Sequence, residues 1–371
     1  MLDRLFEAAR TGDRPTWTAG LSTRDPAFAR RARVLFENLA GLRLSRLGVR
    51  PTGARQALPG SRQALLGPTA QVWQVTVDWA LPGEPATAQA SLWLTLLPGP
   101  GGVRLAGTSD GAGPDTPAEP IWWRDPVTRV DRGAVTLLLG QGQRATTWLA
   151  LTARSVGAAR RELPRPLAAR WPDRVVVEVP GDNAGFEAVL GAAPGSYAGT
   201  AAVTRAEGPR TDAAVRIVVN PALARRPALE RRLTLVHETV HVATRSGSSP
   251  APLWAVEGLA EYVAYAAEPG GRVATERALA GALRRDGLPS QLPADGDFAA
   301  GVPGVDVAYA EAWTACRTVA DHRSAAALGR FYARLDAGDP VGVAAPDTLG
   351  VDEAGLRGWW RSALDQVRAR H

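Results

Sequence analysis

The sequence predicts an α+β protein, and three observations lead to this prediction. One long amphipathic helical pattern near the N-terminus is followed by strand-like runs, separated by glycine- and proline-rich turns, up to about residue 140. Short strand-like runs then alternate with a helical pattern between residues 174 and 219. After residue 227, apolar residues recur mostly at helical spacing. Sheets followed by a helical region are typical of the α+β class.

The N-terminal third is predicted to hold one helix and then an antiparallel sheet. Asp25-Pro26 is typical of a helix start, and apolar residues follow at helical spacing up to Leu42. This order of a helix and a curved sheet resembles the cone-shaped fold of nuclear-transport-factor-like domains. Its tryptophans can pack in the core, which is the commoner role, or line a pocket. The predicted strands are Gln71–Ala80, Ala88–Leu97, Val103–Thr108 and Val135–Gly140, and the tryptophans are Trp73, Trp79, Trp93, Trp122 and Trp123.

A helical pattern over Thr146–Leu163 connects the two halves of the chain, and two prolines follow it. We therefore predict an N-terminal domain of residues 1–150, a linker helix of residues 151–170 and a second domain of residues 171–371. The second domain is predicted to begin with a small sheet and to end with helices. Its strands are Arg174–Val179, Gly199–Arg205 and Ala214–Val219, and its helices are Asp182–Leu190, Val273–Arg285, Asp306–Asp321, Ala325–Leu335 and Asp352–Arg368.

Residues 237–241 read His-Glu-Thr-Val-His, within an apolar stripe that predicts a helix from Pro227 to about Ser246-Gly247. On a helix, His237 and His241 share one face, with Cβ atoms about 5–6 Å apart. Two imidazoles so placed can bind one Zn²⁺, and Glu238 can reach a water molecule on the metal. The same five letters also arise by chance on solvated helices, so the sequence that follows them matters.

The following segment reads Trp254-Ala-Val-Glu257-Gly-Leu-Ala260, and with the first motif it resembles the gluzincin metallopeptidases. The resemblance covers about residues 170–371. It implies a catalytic domain with a small mixed sheet, zinc-binding helices and a C-terminal helical part. It also implies that Zn²⁺ is held by His237, His241 and Glu257, with Glu238 as the general base.

The resemblance implies two further roles near the metal. Glu261, one turn after the third ligand, would accept a hydrogen bond from a ligand histidine; an exposed surface acid is the alternative. Tyr309 would stabilise the oxyanion formed during catalysis, with a buried structural tyrosine as the alternative and His322 as a substitute. Strand 199–204 would align the substrate backbone at a sheet edge.

The expected activity is zinc-dependent hydrolysis of a peptide or protein substrate. The G-x-M-E-N-type segment of aminopeptidases in this group is absent, because Met1 is the only methionine, and this favours an endopeptidase. The alternative is an inactive or weakly active metallopeptidase-fold binding module that acts at the cell envelope. Metal analysis with a peptidase assay separates the two.

Composition narrows the expected partners and location. All 43 basic residues are arginine and are scattered among acids, so the net charge of +6 does not indicate nucleic-acid binding. The arginine- and alanine-rich composition indicates GC-rich coding, as in actinobacteria. No apolar run reaches the length of a membrane span, and no signal-peptide core follows Met1. The sequence predicts a soluble chain, which could be the extracytoplasmic part of a membrane-tethered protein, and leaves the oligomeric state open.

Overall fold

The computed structural model describes residues 1–99, 102–111, 118–197, 199–299 and 301–371. Helices make up 52% of the structure and strands 18%, which confirms the α+β class. The chain forms two compact units, each built from two segments. We call Met1–Leu149 with Val176–Ala222 the sheet unit, and Ala150–Val175 with Leu223–His371 the helical unit.

The sheet unit contains two sheets. A four-stranded antiparallel sheet has the order β1-β2-β3-β4, and a five-stranded mixed sheet has the order β5-β6-β7-β9-β8. The strands are β1 (Arg46–Gln56), β2 (Gln71–Ala80), β3 (Ala88–Gly99), β4 (Gly102–Gly107), β5 (Thr128–Arg132), β6 (Val135–Leu139), β7 (Val175–Val179), β8 (Ala202–Ala206) and β9 (Val215–Val219). The helices are α1 (Leu2–Thr11), α2 (Arg14–Ala19), α3 (Pro26–Leu42), α4 (Gly60–Leu66) and α7 (Asn183–Leu190).

Residues 176–222 group with the N-terminal part of the chain, whereas the sequence analysis assigned them to the second domain. Hydrogen bonding explains the difference, because β7 lies between β6 and β9 in one sheet. Packing agrees with it, since Val176 and Val218 belong to the same hydrophobic core as Phe6 and Trp79. A strand that completes an existing sheet is therefore part of that unit, although it comes late in the chain.

The tryptophans of the sheet unit belong mainly to its core. Trp79 and Trp122 are almost completely buried, and their rings meet edge to face with centroids 5.6 Å apart. Trp123 is buried beside them. Trp93 and Trp73 are partly buried and pack against core clusters. Core packing thus accounts for these side chains, as expected for aromatic residues on strands.

The helical unit surrounds a core to which Leu259, Ala312 and Trp360 contribute. Among the described residues, no helix combines the length and apolar character that a membrane span needs. The boundary between the units falls within α5 (Ala145–Glu162). The other helices are α6 (Arg165–Ala168), α8 (Ala228–Thr244), α9 (Leu253–Ala267), α10 (Gly270–Asp286), α11 (Val305–His322), α12 (Ala325–Asp336), α13 (Val341–Leu349) and α14 (Glu353–Arg370).

Helix α8 ends two residues before the predicted Ser246-Gly247 stop. Arg245 adopts the left-handed conformation there, with φ 53°. Its backbone N–H donates to the carbonyl oxygens of His241 and Val242. The sequence analysis placed the end of the helix at Gly247, because left-handed backbone is unfavourable for residues with a Cβ. The structure uses an arginine for that conformation, so the helix ends earlier.

Close packing of α9 against α11 depends on Gly258. A Cβ atom at this position would overlap the carbonyl oxygen of Ala312 and lie 2.9 Å from Cys316 Sγ. The backbone of α11 cannot move aside as a flexible side chain can. Gly258 therefore fixes how closely the helix carrying Glu257 approaches its neighbour.

We expect Gly258→Ala to lower the free energy of unfolding by up to about 2 kcal/mol. Overpacking costs about 1–3 kcal/mol, which outweighs the gain of about 1 kcal/mol in helix propensity. Gly281→Ala is the matched control, because Gly281 lies inside α10 and a Cβ there meets only Arg285 Nη1, at 3.8 Å. Urea denaturation should show the control to be as stable as the wild type or more so. A Gly258→Ala protein that is also stabilised would contradict this packing argument.

Candidate metal centre

Two helices bring three potential metal ligands together. His237 and His241 lie one turn apart on α8, and Glu257 lies on α9, which packs beside it. The two Nε2 atoms are 2.9 Å apart, and Glu257 Oε2 lies 3.2 Å from each of them. The structure thus assembles the three residues that the two sequence motifs indicated.

The spacing and chemistry of these atoms fit a small cation. A tetrahedron with metal–ligand distances of about 2.0–2.1 Å has edges of about 3.3–3.4 Å, close to the observed triangle. The buried Oε2 of Glu257 makes no well-aligned hydrogen bond with a described residue, although both imidazoles are near. Three electron-pair donors this close together are stabilised by a shared positive charge.

Ionisation in the cluster shows how strongly its members interact. Burial lowers the pKa of His237, but Glu257 and Glu261 more than offset this and hold that pKa well above its usual value. Burial raises the pKa of Glu257, but His241 and His237 outweigh it, so the pKa lies well below its usual range. The carboxylate is therefore ionised, and a proton and a metal ion would compete for the same histidine nitrogens.

Glu261 lies next to the first histidine. Its Oε1 atom is 3.1 Å from His237 Nδ1, on the ring side opposite the triangle of ligand atoms. A carboxylate there favours the tautomer that carries hydrogen on Nδ1, which leaves the Nε2 electron pair free for a metal. The exposed-acid alternative does not describe this residue, because the Glu261 side chain is only 17% exposed.

Glu238 is adjacent to His237 on α8 and is 8% exposed. Its charge acts on the Tyr309 phenol, together with those of Glu257 and Glu261. Glu238 directly follows the first ligand residue in the sequence without being one of the three grouped ligands. A carboxylate in that position can accept a proton while the ligands remain unchanged.

Tyr309, on α11, lies beside the cluster. Its ring centroid is 6.1 Å from that of His237 and 5.3 Å from that of Phe298, which meets it edge to face. Burial raises the pKa of the phenol well above its usual value, and Glu257 and Glu238 raise it further. The hydroxyl therefore keeps its proton and can act as a hydrogen-bond donor.

Other candidates from the sequence lie elsewhere. His322 is exposed and stacks on Trp359, with parallel rings 4.3 Å apart. Strand β8, which contains residues 202–204 of the proposed substrate-aligning segment, is at an edge of its sheet as expected, but it belongs to the sheet unit. Its role in substrate binding stays a prediction.

Sequence reasoning missed Tyr265, which lies one turn after Glu261 on α9. Its hydroxyl lies 2.9 Å from Thr275 Oγ1 on α10. Burial raises the pKa of its phenol, and the negative charge of Glu261 raises it further. Helical spacing from Glu257 through Glu261 to Tyr265 was a usable signal, because residues four apart share a helix face.

No family model matches the chain, and a comparison with curated proteins finds no similar sequence.

Proposed function

We propose that the helical unit is a zinc-dependent hydrolase of peptide bonds that acts as an endopeptidase. The observation that carries the proposal is the triangle formed by His237 Nε2, His241 Nε2 and Glu257 Oε2. Glu238 directly follows the first of these ligands in the sequence. Three protein ligands leave one position of a tetrahedral metal available for water or substrate. A fully closed structural site would use four protein ligands instead.

The ligand set favours zinc over Mg²⁺ or Ca²⁺. Imidazole nitrogens suit transition metals, whereas Mg²⁺ and Ca²⁺ prefer oxygen ligands. Two histidines and one carboxylate also suit Fe²⁺ in oxygenases. The glutamate that follows the first histidine favours zinc, because it provides the base that hydrolysis needs and that an oxygenase site does not require.

The proposed mechanism divides the work among neighbouring side chains. Zn²⁺, when bound, supplies Lewis acidity that polarises the scissile carbonyl and acidifies water. Glu238 takes the proton of the attacking water and later passes it to the leaving amine. Tyr309 donates a hydrogen bond to the oxyanion that develops on the carbonyl oxygen. Glu261 holds His237 in the required tautomer.

Endopeptidase action is favoured over removal of N-terminal residues. Aminopeptidases that resemble this chain use a methionine- and glutamate-containing strand segment to bind the substrate amino group. Met1 is the only methionine of this sequence, so the corresponding segment is missing. The substrate is therefore proposed to be a peptide or protein cleaved within its chain.

Metal analysis combined with an activity assay tests the proposal. We expect the purified protein, prepared with available zinc, to carry about one Zn²⁺ per chain, because one three-residue site supports it. It should cleave casein or a blocked peptide, lose this activity to a chelator and regain it with Zn²⁺. A stable protein that holds no metal and cleaves nothing would instead indicate a binding module, and bound iron would contradict the hydrolase.

A further inference from the structure

The sheet unit contains its own buried cluster of charged side chains. Arg216 on β9 is completely buried, and its guanidinium contacts two acids. Its Nη1 atom lies 2.9 Å from Glu178 Oε1 on β7, and its Nη2 atom lies 2.9 Å from Glu84 Oε2 in the turn between β2 and β3. Arg205 on β8, which pairs with Glu207 at 2.7 Å, also acts on this group. The cluster therefore joins the two sheets of the unit.

This cluster contains more acids than bases. Its two arginines carry two positive charges, whereas its three glutamates could carry three negative charges. Burial removes the water that would otherwise stabilise an unbalanced charge, so a surplus carboxylate in this core is strongly disfavoured. One of the three acids is therefore expected to keep its proton.

Hydrogen bonding identifies that acid as Glu178. Both oxygens of Glu84 accept hydrogen bonds, from Nε and Nη2 of Arg216 and from the backbone N–H of Leu81. Glu207 has its own arginine partner on β8. Glu178 has a donor only at Oε1, and its buried Oε2 makes no hydrogen bond with a described residue. An oxygen without a partner costs less on a neutral carboxyl group than on an ionised one.

The electrostatic surroundings of Glu178 act in the same direction. Burial raises the pKa of Glu178, and the charge of Glu207 raises it further. The two arginines do not fully offset these effects, so the pKa rises to about 7. Burial also raises the pKa of Glu207, but Arg205 outweighs it and holds that pKa below its usual value. Glu178 is thus the acid of this cluster that changes charge near neutral pH.

We propose that Glu178 is a proton-binding site, and that loss of its proton weakens the link between the two sheets of the sheet unit. An ionised carboxylate needs donors on both oxygens, and Arg216 is the arginine that contacts this one. A guanidinium that turned further toward Glu178 would give up a bond to Glu84, which also accepts from the N–H of Leu81. The inference concerns residues of the sheet unit only and does not depend on the proposed hydrolase.

Proton binding by Glu178 predicts how stability changes with pH. A carboxyl group whose pKa is higher in the folded protein stabilises the fold below its ordinary pKa of 4.5, and this contribution is lost as the pH rises through the folded pKa. Between these two values, the group should raise the unfolding constant about tenfold per pH unit, and above them it should add nothing further. Glu178→Gln should remove this contribution, because an amide cannot ionise. Urea denaturation from pH 5 to pH 8 measures the difference between the two proteins.

Glu37→Gln is the matched control, because Glu37 is exposed on α3 and lies 3.9 Å from the guanidinium of Arg33. The chemical change is identical, and the pH dependence of stability should stay that of the wild type. Hydrogen exchange of the Leu81 amide reports on the link itself. After correction for the intrinsic effect of pH, its protection should fall between pH 6 and pH 8 in the wild type and stay constant in Glu178→Gln.

Infrared spectroscopy detects the proton directly, because a neutral carboxyl group absorbs apart from a carboxylate. Glu311 on α11 is the other acid among the described residues whose pKa is raised, by burial and by Asp297, to about 7. Glu311→Gln therefore leaves Glu178 as the acid to be observed. This variant should show a band of a neutral carboxyl group at pH 6 that is largely lost at pH 8.

Each part of the inference can fail separately. If Glu311→Gln shows no such band at pH 6, Glu178 is not a proton-binding site, and this result is decisive even where Glu178→Gln does not fold. The same pH dependence of stability in the wild type and Glu178→Gln would also overturn the site. A band that is present at pH 6, with Leu81 exchange that does not respond to pH, would overturn the weakened link.

Discussion

Glu238→Gln is expected to lower peptide hydrolysis by at least about 10²-fold, the usual contribution of a positioned base, while the metal stays bound. Glutamine keeps the shape of the side chain and can still form hydrogen bonds, but it cannot accept a proton at neutral pH. Glu238 is not among the three grouped ligands, so zinc content should be close to that of the wild type. Activity and bound zinc should be measured on the same preparation.

The control for this substitution is Glu230→Gln. Glu230 is in the first turn of the same helix, where it pairs with Arg226 at 3.3 Å, and the two side chains are 43% and 52% exposed. The chemical change is identical, and activity should be unchanged. Full hydrolysis by Glu238→Gln, with contaminating protease excluded, would show that the proposed active site is wrong.

His241→Ala is expected to abolish stable metal binding, and activity with it. The variant keeps His237 and Glu257 as possible metal ligands. It loses the imidazole whose Nε2 lies 2.9 Å from His237 Nε2 and 3.2 Å from Glu257 Oε2. Loss of a residue that only orients a ligand lowers metal affinity by about 10–100-fold. Loss of a ligand itself should therefore lower metal affinity by more than about 10²-fold. Zinc content after dialysis and chelator competition both report this change.

His322→Ala is the matched control for the ligand variant. His322 is exposed at the end of α11, where it stacks on Trp359, so this substitution should leave zinc content unchanged. Circular dichroism should show that both variants remain folded. Normal zinc retention by His241→Ala would mean that the metal, if present, is held elsewhere.

The proposed ligands could be identified from sequence because each motif is local. His237 and His241 are four residues apart, and Glu257 belongs to a second motif on the next helix; regular helices then fix where these side chains point. Strands with clear apolar alternation, such as β2 at Gln71–Ala80, also lie where they were expected. Periodicity reports directly on which side chains face a core.

The features that were missed depend on partners distant in sequence. Strand β1 was not predicted, because it is a largely exposed edge strand whose register shifts between Pro51 and Arg55. Helix α13 contains Pro346, which argues against a helix when read locally. Tyr265 acquires its contacts from Thr275 and Trp313 on other helices. Such pairings arise only when the helices pack together.

The two-segment construction of each unit affects how the protein can fold during synthesis. A nascent chain that has reached residue 150 has β6, but it lacks β7 and β9, which continue that sheet. Until residue 179 has been made, β6 has an unpaired edge, and the core residue Val218 is missing until β9 has been made. Exposed strand edges of this kind attract wrong partners. Residues 150–175 of the helical unit are synthesised before residues 176–222 complete the sheet unit. They can pack into their own unit only after residues 223–371 have been made.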